Sequence, residues 1–172
     1  MTTNTSTDTL LNQELLATES TGLLADLMLE NGFFLATAES CTGGMIAAAC
    51  TDLAGSSAWF ERGFITYSND AKTQMLGVDA VLIAQHGAVS EPVARAMAFG
   101  AIRHSAAQVS VAVTGVAGPT GGSAAKPVGT VWFGFSVRGQ LLSETRCFNG
   151  DRAAVRLATV HHALRRLIQL LQ

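Results

Sequence analysis

Leucines set the pattern at the start of the chain. Leu11, Leu15, Leu16, Leu23, Leu24 and Leu27 recur at helical spacing, and Asn31-Gly32 supplies a stop, which predicts an amphipathic helix over residues 10–30. Residues 1–9 are polar, carry no such period and are expected to form a disordered tail. Residues 33–38 form a short apolar run with two aromatics, read as a buried strand, that passes directly into Glu39-Ser40-Cys41-Thr42-Gly43-Gly44 and then a helix over 45–52. A second strand is predicted over 64–67, after which Ser68-Asn69 offers caps for a helix carrying Lys72. Residues 79–86 read as a short helix or turn, and 91–106 as an alanine-rich helix begun by Ser90 and Pro92. The β-branched run 109–113 predicts a third strand. Residues 129–137 and 141–148, flanking Arg138-Gly139-Gln140, predict an antiparallel hairpin, and 151–171 closes the chain as a helix.

Strands alternating with helices argue for an α/β layered fold, and the terminal hairpin makes its sheet mixed, mostly parallel. At 172 residues, 48% of them hydrophobic, the chain is expected to form one domain over 10–172, with no repeat or linker. The formal net charge is only −2 and the arginines are scattered apart from pairs near the last helix, which argues against nucleic acid as a partner. No uninterrupted apolar stretch is long enough to cross a bilayer, so no membrane partner is expected. The three cysteines, Cys41, Cys50 and Cys147, show no metal-like spacing and an odd count, which suits a reducing, cytoplasmic setting.

Open α/β sheets bind ligands beyond the carboxyl ends of their strands, which draws attention to the loops 39–44, 67–72 and 114–122. Ser40 stands where a strand turns into a helix, so its hydroxyl can project into a cleft with backbone N–H groups nearby. Ser40 and Thr42 are equally readable as helix caps, and Cys41 is a rival nucleophile. A serine needs a base. None of the four histidines occupies a strand-end loop, whereas Lys72 is one of only two lysines, with Lys126. Near a helix start, the macrodipole and burial both push a lysine pKa down, and a lysine neutral near pH 7 can deprotonate a serine. Tyr67, the only tyrosine, could bridge the pair or donate to a substrate. The same residues also fit a plain helix-start lysine beside a strand tyrosine. The glycine-rich loop 114–122 suits a phosphate or flat ring close to the backbone but matches neither a P-loop nor a dinucleotide fingerprint, and Lys126 could neutralise a phosphate or simply be solvated.

The segments Ala38-Glu39-Ser40-Cys41-Thr42-Gly43-Gly44, Gly55-Ser56-Ser57, Thr66-Tyr67-Ser68-Asn69 with Lys72, His86-Gly87-Ala88-Val89-Ser90, Thr114-Gly115 with Ala117-Gly118-Pro119, and Lys126-Pro127-Val128-Gly129-Thr130-Val131-Trp132 together resemble the CinA C-terminal domain family. The resemblance runs in register over about residues 31–152, in the stand-alone form without the N-terminal domain of longer relatives. It implies a three-layer α/β/α domain, hydrolysis of nicotinamide mononucleotide to nicotinate mononucleotide and ammonia in pyridine-nucleotide salvage, no metal or cofactor, and a homodimer. By the same resemblance Ser40, Tyr67 and Lys72 match catalytic positions and Thr114 an active-site position. Within that frame Lys72, assisted by Tyr67, would activate Ser40, and amides near Thr42 and Gly43 would hold the oxyanion. The phosphate is expected against the glycine-rich loop (Gly118, Gly121) or the start of the first-motif helix (Gly43, Gly44), with Thr42 and Arg152 as further donors. Pro119-Thr120-Gly121 departs from the family, where an acidic residue often follows the proline.

Overall fold

In the computed structural model, residues 19–172 are described. The expected tail at 1–9 and the first part of the leucine-rich helix, with Leu11, Leu15 and Leu16, lie outside them. The described part of that helix, α1, covers 19–31. It is followed by β1 (Leu35–Glu39), α2 (Met45–Thr51), β2 (Phe60–Ile65), α3 (Asn69–Leu76), α4 (Ala80–His86), α5 (Glu91–Arg103), β3 (Val109–Gly115), β4 (Thr130–Val137), β5 (Gln140–Cys147) and α6 (Arg152–Leu171). The five strands form one mixed sheet in the order β2-β1-β3-β4-β5. β1 pairs in parallel with β2 and β3, while β4 runs antiparallel to both β3 and β5, so β4 alone opposes the common direction. Among the described residues no helix is long and apolar enough to cross a membrane.

Successive strand side chains point to opposite faces, and the two faces of this sheet carry different residues. Val109, Val111, Val113, Phe133 and Phe135 meet α1, α2 and α6 through residues such as Met28, Ile46 and Leu164. Ala36, Ala38 and Ala112 meet α3, α4 and α5 through Leu76, Ile83 and Met97. Helices on both faces give three layers. The small residues let α5 come close: a Cβ at Gly134 would sit 2.2 Å from the Ala94 carbonyl oxygen, and Ser110 Oγ donates to Ala98 O at 2.7 Å.

The register decides where a site can form. Glu39 at the end of β1 is level with Ile65 of β2 and Val113 of β3, so the carboxyl ends of three neighbouring parallel strands open onto one edge. Three details depart from the pattern reading. β2 starts earlier and ends at Ile65, leaving Tyr67 beyond the strand. Ser68, not Asn69, caps α3 by accepting from Ala71 N at 3.0 Å, which puts Lys72 at the fourth helical position. α5 stops at Arg103 rather than 106, because Ser105 Oγ donates back to Ala101 O and accepts from Ala107 N, a local alternative to another helical turn.

Candidate active site

The turn after β1 is held by two buried or half-buried ionic side chains. Glu39 is buried, and its carboxylate accepts from Thr42 Oγ1 at 2.6 Å and from the backbone N–H groups of Gly44, Ile46 and Ala47 at 3.1, 3.0 and 2.8 Å. A carboxylate at the positive end of α2 satisfies donors a helix start otherwise leaves unpaired. From the other side Arg156 of α6 donates through Nε to Cys41 O at 3.1 Å and through Nη2 to Thr42 O at 2.8 Å. Ser40 N donates to Val113 O at 3.0 Å, tying the nucleophile candidate to the neighbouring strand.

Lys72 extends from α3 beneath this turn. Its Nζ lies 3.0 Å from Ser40 Oγ and donates to Thr66 O at 2.9 Å, with the side chain only 1% exposed. Burial pushes its pKa below the usual lysine range, since the charged form loses its hydration. A neutral amine can keep its bond to Thr66 O while accepting the Ser40 proton. Cys41, in contrast, is a buried thiol that burial pushes up to about 11, which leaves little thiolate near neutral pH.

These groups open onto a cleft of about 220 Å³ lined by Ser40, Cys41, Tyr67, Asn69, Lys72, Ala88, Val89, Thr114, Gly115, Ala117 and Arg152. Thr114 is buried in its wall and donates to Ala88 O at 2.9 Å. Tyr67 is 62% exposed at the rim, and its phenol oxygen accepts from Arg152 Nη2 at 2.9 Å rather than bridging lysine and serine. The reason is the early end of β2, which carries Tyr67 outward. Arg152 Nη1 also donates to Gly118 O at 2.9 Å, so this arginine joins the rim to the glycine-rich loop.

The start of α2 cannot serve as the expected phosphate seat, because Glu39 already fills it and would repel a second anion. Thr42 Oγ1 and Gly44 N are bonded to Glu39, and Gly43 N donates to Ser40 O at 3.1 Å, so Thr42, Gly43 and Gly44 shape the turn instead of presenting those donors to a ligand. Gly118 reaches the cleft only through Arg152, and Gly121 is exposed outside its lining. Among the described residues the backbone N–H of Thr42 has no acceptor, and that of Cys41 meets only its own thiol. Sequence reasoning missed Glu39 and Arg156. An acidic residue immediately before a turn into a helix was the available signal for the first, while the second needs the packing of α6 against α2. None of the four histidines lines the cleft, and His162 pairs with Glu144 instead.

The family model of the CinA C-terminal domain matches residues 17–171. The chain belongs to the CinA C-terminal domain family. Within this family it is 57% identical over 139 residues to the nicotinamide-nucleotide amidohydrolase PncC of Escherichia coli K12, covering 80% of this chain and 84% of that one. It is 59% identical over 134 residues to the protein of the same name from Pseudomonas putida, covering 78% of this chain and 84% of that one. The crystal structure of a CinA superfamily protein from Klebsiella pneumoniae superposes with a TM-score of 0.87 at 39% identity, covering 90% of this chain and 97% of that one. The three-layer fold is therefore that of the CinA family.

Proposed function

We propose that this chain hydrolyses the carboxamide of nicotinamide mononucleotide to nicotinate mononucleotide and ammonia, with Ser40 as nucleophile and Lys72 as its base. The observation that carries the mechanism is the 3.0 Å approach of a buried lysine amine to a serine hydroxyl within a cleft at three strand ends. The names of the two amidohydrolase relatives support the substrate. Neutral Lys72 takes the Ser40 proton as Oγ bonds to the carboxamide carbon and the carbonyl pair moves onto oxygen. The lysine ammonium then protonates the amide nitrogen, the pair returns, and ammonia leaves an acyl-enzyme. Water attacks that ester, its proton passing to Lys72 and then back to Ser40 as the carboxylic acid is released. Tyr67 and Thr114 border the reacting group. Arg152 offers the remaining N–H donors of its planar fork to the phosphate, a role its position at the rim supports. A role in pyridine-nucleotide salvage, a cytoplasmic setting and a homodimer belong to the same proposal and rest on the family resemblance.

Ammonia release from nicotinamide mononucleotide by the purified chain, with chelator present, tests the reading. Ser40→Ala and Lys72→Ala should each lower kcat by roughly 10⁴-fold or more while remaining folded, as members of one catalytic unit do. A folded native chain that releases no ammonia would instead point to a non-catalytic nucleotide-binding module.

A further inference from the structure

We propose that Arg156 is a positioning residue for this reaction: by gripping the carbonyls of Cys41 and Thr42, it aims the Thr42 N–H, with the Cys41 N–H beside it, at the oxyanion formed when Ser40 attacks. The inference rests on the hydrolytic reading of the cleft and names the part of the site that reading leaves unassigned. In the turn after the nucleophile, Gly43 N is bonded to Ser40 O and the amides of Gly44, Ile46 and Ala47 serve other acceptors. Among the described residues Thr42 N–H is without an acceptor and Cys41 N–H meets only its own thiol, and the two follow Ser40 directly. Unpaired donors in a buried turn are costly, so something must keep them from turning toward a carbonyl of the protein.

The guanidinium of Arg156 supplies that restraint. A trans peptide is planar with N–H and C=O pointing opposite ways. With Nε on Cys41 O at 3.1 Å, the Thr42 N–H is directed to the side of the turn away from Arg156. With Nη2 on Thr42 O at 2.8 Å, the next peptide plane is fixed as well. The positive charge also polarises the peptide it holds and strengthens its N–H as a donor. Two neighbouring carbonyls held by one rigid fork is a task lysine performs poorly, because an ammonium is a point charge without the fork. Arg156 does not line the cleft, so it acts on the reaction only through these peptides.

Arg156→Ala should lower kcat about 10²-fold with KM within about twofold, the pattern of a donor needed only in the transition state. Arg156→Lys should fall between, and added ethylguanidinium should restore at least part of kcat to Arg156→Ala without moving KM. A purely structural role would lower the melting temperature and the active fraction without this rescue. If Arg156→Ala does not fold, Arg156→Lys decides: kcat reduced with KM held supports the inference, and an unchanged kcat overturns it. A loss confined to KM, or no rescue in a folded Arg156→Ala, overturns it too. If the wild-type chain releases no ammonia, the hydrolytic reading falls first and takes this inference with it. An active wild type with an equally active Arg156→Ala removes this inference alone.

Discussion

The turn 39–44 and the glycine-rich loop that follows β3 leave the sheet from adjacent parallel strands, yet they are built in opposite ways. The first is short and buried over 39–42, with a carboxylate that takes four hydrogen bonds and a guanidinium that gives two. The second is exposed over 119–125 and is held by the Ser123–Lys126 backbone pair, Arg152 on Gly118 O and Lys126 Nζ on His86 O. Bond-making chemistry requires fixed atoms, and the over-determined turn provides them. The glycine loop, which lies largely outside the cleft, is under no such demand. Substitutions in the turn should therefore damage rate and stability together, whereas those in the loop should leave rate nearly unchanged and cost less stability.

The largest expected effect is at Glu39. Glu39→Ala leaves the hydroxyl of Thr42 and three amides without their acceptor in a buried setting, and the loss of one partner from such a network costs about 3–5 kcal/mol. Calorimetry should show the melting temperature falling by roughly 6–20 °C, with ammonia release reduced at least tenfold in the protein that remains folded. A variant that melts within 2 °C of wild type would break the contrast between turn and loop.

Lys72 gives the next prediction. In the proposed mechanism its neutral form is the base, and burial lowers its pKa from the ordinary 10.5, so kcat/KM should rise about tenfold per pH unit on the acid side and level off below that ordinary value. The stability sign runs the same way. The unfolded lysine binds its proton more readily than the folded one, so stability rises with pH across the window from the lowered value up to 10.5. Below that window a buried charge is carried at a cost. Lys72→Met should therefore abolish activity while raising the melting temperature at pH 7, the trade expected of a residue kept for chemistry. A lower melting temperature in the methionine variant would mean that the bonds to Ser40 and Thr66 outweigh the burial cost.

How much of this was legible beforehand follows from how local each cause is. The elements of the sheet, its mixed sense and the strand-end loops come from period and turn residues, which are local. Ser40 and Lys72 stand out in the sequence itself, one by its place between strand and helix, the other by scarcity. The reach from Lys72 Nζ to Ser40 Oγ depends on β1 and β2 pairing with Glu39 level with Ile65, a relation across the sheet that no period encodes. The error over the phosphate seat has a similar origin: a glycine-rich helix start reads as an anion site until the preceding glutamate is seen to fold back onto it. Arg156 lies more than a hundred residues from the carbonyls it holds, and on an amphipathic helix it reads only as one more surface arginine.

In the loop, Gly121→Ala introduces a methyl with space around it, the nearest atom being Val116 Cγ1 at 3.8 Å, but at a φ of +91° that alanine rarely adopts. The strain should cost about 1–2 kcal/mol, or roughly 2–8 °C in melting temperature, and kcat should hold within twofold because Gly121 lies outside the cleft.

Lys126 marks the smallest effect and the sharpest contrast with Lys72. Its amine is exposed and donates to His86 O at 3.1 Å, bracing the loop against the end of α4 without lining the cleft. A single exposed bond of this kind is worth at most about 1 kcal/mol. Lys126→Ala should therefore move the melting temperature by no more than about 4 °C and leave kcat and KM within twofold, whereas Arg152→Ala should raise KM at least tenfold if the proposed phosphate contact is made there. The reverse outcome, a large KM effect at Lys126 and none at Arg152, would shift the phosphate from the rim arginine to the glycine loop and make that loop a binding element.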